Sequence, residues 1–411
     1  MARILFTGGH VFDGTGADPA AADVVIDGGR IVDVGPGLDA DEAVDVRGKT
    51  LLPGFFDCHV HVMWTNTDLL AGLQTPFSYH FYEAARNLRK TLDVGITTVR
   101  DAGGADLGVK QAVDDGLIAG PRMQISLIML SQTGGHGDAW MACGSHVRIF
   151  SQVHPGRPSG VVDGADEMRR KVRELVRMGA DVIKVATSGG VLSPRDDPKH
   201  GHFRDEELAV LVEEATAAGR FVMAHAQAAE GIKAAIRTGI RSIEHGIYLD
   251  DEAIEMMLER GTYLVPTLSA PRGLLDAADR GLAVPEYALR KCRDVIDVHT
   301  DSITRAIAAG VKVAMGTDAA VCPHGDNLRE LALMAAAGMA PARVLAATTS
   351  VAAELLGVAD DLGTLAPGKR ADIVVLDGDP FDFDDMRKRV TGVWKDGVPV
   401  AGADGPEGTA D

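Results

Sequence analysis

Between Gly54 and Thr317 short apolar runs alternate with segments of helical periodicity, and this rhythm restricts the possible folds more than any other feature of the chain. Strands that alternate with helices build parallel βαβ units. Eight runs read as strands: 54–62, 97–101, 123–130, 181–186, 221–226, 242–245, 263–266 and 312–317. In the intervening segment 166–178, Met168, Val172, Leu175 and Val176 fall on one helical stripe, and Gly179 follows as a stop. Eight such units predict an α/β fold, a TIM (β/α)8 barrel over residues 58–358.

The two ends read differently. Residues 1–57 carry short β-rich runs at 4–6, 24–26, 31–34 and 51–52, and runs at 373–376 and 390–395 resemble them, with a turn at Gly378, Asp379 and Pro380. Both ends can therefore complete one sheet. An Ala-rich zone at 328–356 reads as helical, and the tail from Ala401, rich in Gly, Ala and acidic residues, is expected to fray.

Charge and composition narrow the function. The net charge of −18 repels phosphate backbones and anionic lipid alike, which argues against nucleic-acid and membrane partners. No stretch reaches the roughly 18 apolar residues of a membrane span, and the N-terminus lacks a basic segment followed by an apolar run, so a cytoplasmic location is expected. Cys58, Cys143, Cys292 and Cys322 lie far apart with no C-x-x-C pair, which predicts free thiols. The expected partner is a small-molecule substrate, with a homo-oligomer left open.

In a barrel of this kind the chemistry sits where strands end. His59 and His61 are two apart at the end of the first strand, so both imidazoles share a face and can bind one ion. Such a pair taken alone also occurs at structural and surface positions. Lys184 lies inside Val182-Ile183-Lys184-Val185-Ala186, where burial favours the neutral amine. A neutral amine reacts with carbon dioxide to give a carbamate able to bridge two metal ions, whereas a snorkelling or ion-paired lysine is the plainer alternative. His225 and His245 end two successive strands, and Asp318 follows Gly316-Thr317. Asp318 can bind metal and accept a proton from water, or it can be a helix N-cap.

These residues, with Pro53-Gly54-Phe55-Phe56-Asp57-Cys58-His59-Val60-His61, Glu244-His245-Gly246 and the closing 363–372 segment Gly-Thr-Leu-Ala-Pro-Gly-Lys-Arg-Ala-Asp, resemble the amidohydrolase superfamily. The resemblance covers nearly the whole chain and is closest to its prolidase-like and imidazolonepropionase-related members. It implies that His59, His61 and Asp318 hold the more buried of two divalent ions, normally zinc. His225 and His245 would hold the other, with carboxylated Lys184 bridging them. It also implies a small β-sandwich domain built from residues 1–57 and 359–411.

The activity so implied is hydrolysis of an amide C–N bond by metal-activated water, with Asp318 taking the proton and passing it to the leaving nitrogen. A linear substrate is preferred, such as a dipeptide of Xaa-Pro type or an N-acyl amino acid, with a cyclic amide of imidazolone type as the rival. Candidate substrate contacts are His136 in Thr133-Gly134-Gly135-His136-Gly137-Asp138, Gln227 two residues after His225, Tyr248, and His324 in Cys322-Pro323-His324-Gly325. Each has a plainer reading, as a glycine turn or a packed or solvent-facing side chain. Deaminating relatives usually carry an acid three residues after the fifth-strand histidine, and Ala228 stands there. The absence of G-x-S-x-G disfavours a serine hydrolase. A non-catalytic scaffold is disfavoured because all six ligand positions are filled.

Overall fold

The computed structural model describes residues 2–146 and 153–401. Phe55–Val60, Ile96–Asp101 and Arg122–Ile125 pair in parallel as one sheet. Met129–Leu130, Val182–Ala186, Phe221–Ala226, Ser242–His245 and Tyr263–Val265 pair in parallel, in chain order, as a second. These strands are buried almost throughout, as expected where helices cover a parallel sheet.

Two expected strands depart from the reading. The run at 123–130 is broken: Arg122–Ile125 serves the first sheet, Leu127 takes a left-handed φ of 67°, and Met129–Leu130 serves the second. One chain segment thus joins the two sheets. The run at 312–317 forms one isolated bridge, Val313 to Leu264, and single hydrogen bonds instead of a regular ladder. It nevertheless spans the remaining gap, because Leu264 N donates to Lys312 O on one side while Cys58 N donates to Met315 O on the other. Close approach explains part of the irregularity, since a Cβ on Gly316 would fall 2.4 Å from Val265 Cγ1 and 3.0 Å from His59 Cβ. Asp318 takes a left-handed φ of 60°, and beyond it Ala319 still bridges Val60, its carbonyl accepting from His61 N.

The helices follow the apolar stripes. Ala165–Arg177 buries Met168, Val172 and Leu175, leaves Val176 half-buried, and stops before Gly179 at a φ of 96°. The Ala-rich zone resolves into Arg329–Ala336, Pro341–Ala347 and Ser350–Leu356. A long helix, Glu286–Ala309, packs Cys292, Val295 and Ile303 inward.

The chain ends form two sheets, where the β-rich runs alone suggested one and the family resemblance a sandwich. Ile373–Asp377 pairs antiparallel with Lys49–Pro53 in a six-stranded sheet that draws on both ends. Ile4–Thr7, Asp23–Asp27, Arg30–Gly35 and Glu42–Asp45 make a second from N-terminal residues alone. Phe6, Ile26 and Ile31 of one share an apolar cluster with Leu51, Ile373, Val375 and Trp394 of the other. Phe6 and Trp394 meet edge to face at 5.0 Å. Each large side chain buried in this way contributes about 1.5–3 kcal/mol of transfer free energy.

Residues 402–411, most of the expected frayed tail, lie outside the described residues, and Ala401 itself closes the strand Val398–Ala401. All four cysteines are free, with Cys58, Cys292 and Cys322 buried and Cys143 exposed. Among the described residues no helix is long and apolar enough to cross a membrane.

Candidate metal centre and active site

The parallel register aligns the strand ends that carry polar side chains. Lys184 lies opposite Met129 and Met223, while His225 lies opposite Ala186 and Ala226 opposite His245. Because side chains alternate along a strand, Lys184 shares a face with His225, two residues on from its register partner Met223, and His59 shares one with His61. His59, His61, Lys184, His225, His245 and Asp318 all line one cavity of about 470 Å³. The rings of His59 and His245 are 5.0 Å apart, those of His225 and His245 4.6 Å, and those of His59 and His61 5.5 Å. Donor atoms of His59, His245 and Asp318 lie within 4.8 Å of one another, close enough to share an ion.

Each imidazole presents one nitrogen to the cavity because its other nitrogen is engaged. His59 Nδ1 bonds Glu244 Oε2 at 2.8 Å, His61 Nδ1 bonds Gly103 O at 2.7 Å, and His245 Nδ1 bonds Thr267 Oγ1 at 2.7 Å. Nε2 of all three is left as the donor atom. His225 is reversed, with Nε2 at 3.1 Å from Gly189 O, so that Nδ1 is left. Partners of this kind fix tautomer and ring orientation in metal sites.

Burial pulls His59, His225 and His245 well below the usual imidazole range, so all three are neutral and able to donate a lone pair. His61 moves the other way: burial lowers it, but the hydrogen bond and charge of Asp318, 3.2 Å from Nε2, outweigh that. Burial would also raise the Asp318 carboxyl, yet its bond to His61 and the charges of the two histidines and Lys184 hold it at about 2. Asp318 is no helix N-cap, since the next helix begins at Arg329.

Lys184 is 1% exposed, and its Nζ has no hydrogen-bond partner. Desolvation brings its ammonium down to about 8, so part of the amine is neutral near physiological pH. An unpartnered amine among four imidazoles and a carboxylate fits a group that is converted to a carbamate and takes metal. The donor set, all nitrogen and oxygen, suits zinc and similar divalent ions.

Two of the four expected substrate contacts lie at this cavity. His136 and Gln227 line it, and Gln227 Oε1 is buried without a partner. Tyr248 and His324 do not. Left-handed backbone at His245 and Gly246, φ 72° and 63°, turns the chain so that Tyr248 lies under Lys199, 5.7 Å from its Nζ. His324 Nε2 bonds Trp64 O at 2.9 Å in the interior, and burial lowers it to about 4.

Several contributors escaped the sequence reading. Glu244, fully buried, receives Arg100 Nη2 at 2.9 Å and Ser242 Oγ at 2.5 Å in addition to His59. An acid inside an apolar strand is the same signal that marked Lys184. Trp64 stacks on His61 at 4.4 Å, and His299 Nε2 donates to the carbonyls of His245 and Pro266, both at 2.9 Å. Neither follows from local sequence. The remaining lining is largely apolar, including Ile128, Met129, Trp140, Leu192, Leu274 and Val321.

Residues 50–402 match the Amidohydrolase family. An ochratoxinase of Aspergillus niger is 37% identical over 368 residues, 85% of this chain and 75% of that one. A solved prolidase complexed with N-methylphosphonate-L-proline is 36% identical with a TM-score of 0.87, covering 97% of this chain and 99% of the other. A Xaa-Pro dipeptidase with bound methionine in its active site is 32% identical, also with a TM-score of 0.87, over 97% and 99% of the two chains.

Proposed function

The chain belongs to the amidohydrolase family and is a hydrolase of carbon–nitrogen bonds, and from this premise we propose that it cleaves a small linear amide, a dipeptide of Xaa-Pro type or an N-acyl amino acid. His59, His61 and Asp318 would hold one divalent ion, His225 and His245 a second, and carboxylated Lys184 would bridge them; zinc suits the set. We read the parallel strands as a TIM (β/α)8 barrel at 58–358, and the two end-built sheets as a β-sandwich at 1–57 and 359–411. The observation that carries the functional reading is the buried Lys184 Nζ, without a partner, in the cavity that the other five residues line.

Bound ions would lower the pKa of a water and polarise the amide carbonyl. The chain's residues do the rest. Asp318 takes the proton and passes it on to the amine nitrogen, a far stronger base than a carboxylate. The neutral histidines and their hydrogen-bonded partners keep the site rigid, which lessens reorganisation during reaction. Likeness to a prolidase and to a Xaa-Pro dipeptidase supports a linear substrate over a cyclic one.

The test is an assay of purified chain, supplied with zinc and bicarbonate, against Xaa-Pro and other dipeptides, N-acyl amino acids and cyclic imidazolone-type amides. The expected result is turnover of a linear amide by protein holding about two metal equivalents. Turnover of cyclic amides alone would overturn the substrate reading, and failure to retain metal would overturn the metal reading.

A further inference from the structure

His136 sits on a loop that gives its ring little support. Gly134, Gly135 and Gly137 surround it, and the loop's own bonds tie Gly134 N to Asp138 and Gly137 N to Ser131. The imidazole is gripped from elsewhere. Its ring stacks on His225 at 4.2 Å, and it lies so close to Gly190 that a Cβ there would fall 2.2 Å from His136 Cε1. At its edge, Nδ1 is 2.7 Å from Ser193 Oγ and 3.5 Å from Asp196 Oδ2.

The direction of these bonds follows from chemistry. Ser193 Oγ donates to Asp196 Oδ1, a carboxylate oxygen that can only accept, so the hydroxyl receives its hydrogen bond from His136 Nδ1. Nε2 is therefore the nitrogen left to the cavity that His136 lines. Burial would raise the Asp196 carboxyl, but its bond to His136, that ring's charge, Ser193 and Lys291 together hold it at about 2, so it stays an acceptor.

Behind Asp196 stands Lys291, on the helix Glu286–Ala309. Its Nζ reaches the carbonyls of Gly190, Ser193 and Asp196 at 2.9, 2.8 and 2.6 Å, and Asp196 Oδ1 at 3.1 Å. The Asp196 and Lys291 side chains are 2% and 13% exposed, and neither residue lines the cavity. Removing such a pair from water is costly, and here the cost is met by four bonds that all close the loop under His136.

We propose that Asp196 and Lys291 are positioning residues that fix His136 through Ser193 and Gly190, so that its Nε2 is aimed at the polar atoms of the bound amide. The proposal rests on the reading of this cavity as the amide-hydrolysing site. A ring held by two loops and a helix is pre-aligned for substrate, whereas one on a glycine loop alone would have to be ordered on each binding event.

Two variants test it in the full-length, zinc-loaded chain: Asp196→Asn, and Lys291→Met in case the first folds poorly. Each is expected to lower kcat/KM on a linear amide about tenfold with metal content unchanged. Either change added to His136→Ala should cost no further activity. In protein labelled with ¹⁵N-histidine, the His136 resonance, assigned by its loss in His136→Ala, should show hydrogen on Nδ1 and lose that pattern in both variants. Wild-type kcat/KM in both variants, losses that multiply with His136→Ala, or an unchanged His136 resonance would each overturn the proposal. If the unaltered chain cleaves no linear amide, the functional reading fails by itself, and the resonance still decides the positioning.

Discussion

His59 Nδ1 and Glu244 Oε2 meet at 2.8 Å in an interior where the two side chains are 1% and 0% exposed. The carboxylate is shared, because Arg100 donates to its other oxygen at 2.9 Å. Glu244 thus fixes a cavity-lining imidazole on one strand from another strand, with a guanidinium balancing its charge.

Replacing Glu244 with Gln keeps the shape but removes the charge, and one amide group cannot accept from His59, Ser242 and Arg100 together. Metal affinity should fall about 10- to 100-fold, the usual effect of removing a ligand's orienting partner. Competition with a chelator measures it. Glu244→Ala should instead lower stability by about 3–5 kcal/mol, because it leaves Arg100 buried and unpaired, and chemical denaturation of the metal-free protein would show that loss.

Lys184 and Asp318 should separate metal binding from turnover. Lys184→Ala removes the proposed bridging group and is expected to abolish tight binding of both ions, whereas Asp318→Asn keeps an oxygen donor and is expected to keep most of the metal. Asp318→Asn should nevertheless lower kcat about 10²- to 10⁴-fold, the range for loss of a general acid–base group. Elemental analysis beside steady-state kinetics gives both numbers. Full activity of Lys184→Ala would contradict its bridging role.

The substrate contacts divide in the same way. Gln227 lines the cavity with an unpartnered Oε1, so Gln227→Ala should raise KM by up to about tenfold, the value of one neutral hydrogen bond. Tyr248→Phe should leave KM unchanged, since the phenol lies beneath Lys199 away from the cavity. Paired KM measurements on one linear amide check both.

The six residues that meet at the cavity were legible because each is a polar side chain at or near the end of an apolar strand, where local pattern and strand period suffice. The small unit was half legible: its strands show as β-rich runs, but whether they form one sheet or two depends on pairings between residues such as Ile373 and Pro53, far apart in sequence. Tyr248 and His324 were misplaced by counting onward from a strand-end ligand. Such counting fails where the backbone turns left-handed, as it does at His245 and Gly246. The hold of Asp196 and Lys291 on His136 was invisible because it joins two loops and a helix through side chains and carbonyls.

Stability should depend on pH through Glu330, which is not among the six proposed ligands. Its carboxyl is fully buried and meets Leu268 N, Ser269 N and Ser269 Oγ at 2.8, 2.7 and 2.6 Å. Burial raises it from 4.5 to about 7 despite those donors, and buried Asp57 nearby is raised to about 6 in the same sense. A folded-state pKa above the unfolded one means that the folded protein keeps its proton while the unfolded chain has lost it. The stabilisation is therefore complete below about pH 4.5 and disappears as pH rises through about 7. For Glu330 the change is worth about 3 kcal/mol. Denaturation of chelator-treated protein at intervals from pH 5 to 8 should show the stability of the wild type relative to Glu330→Gln falling as pH rises, the depressed histidines being common to both and cancelling in the difference. An equal slope in that variant would show that Glu330 does not titrate in this window.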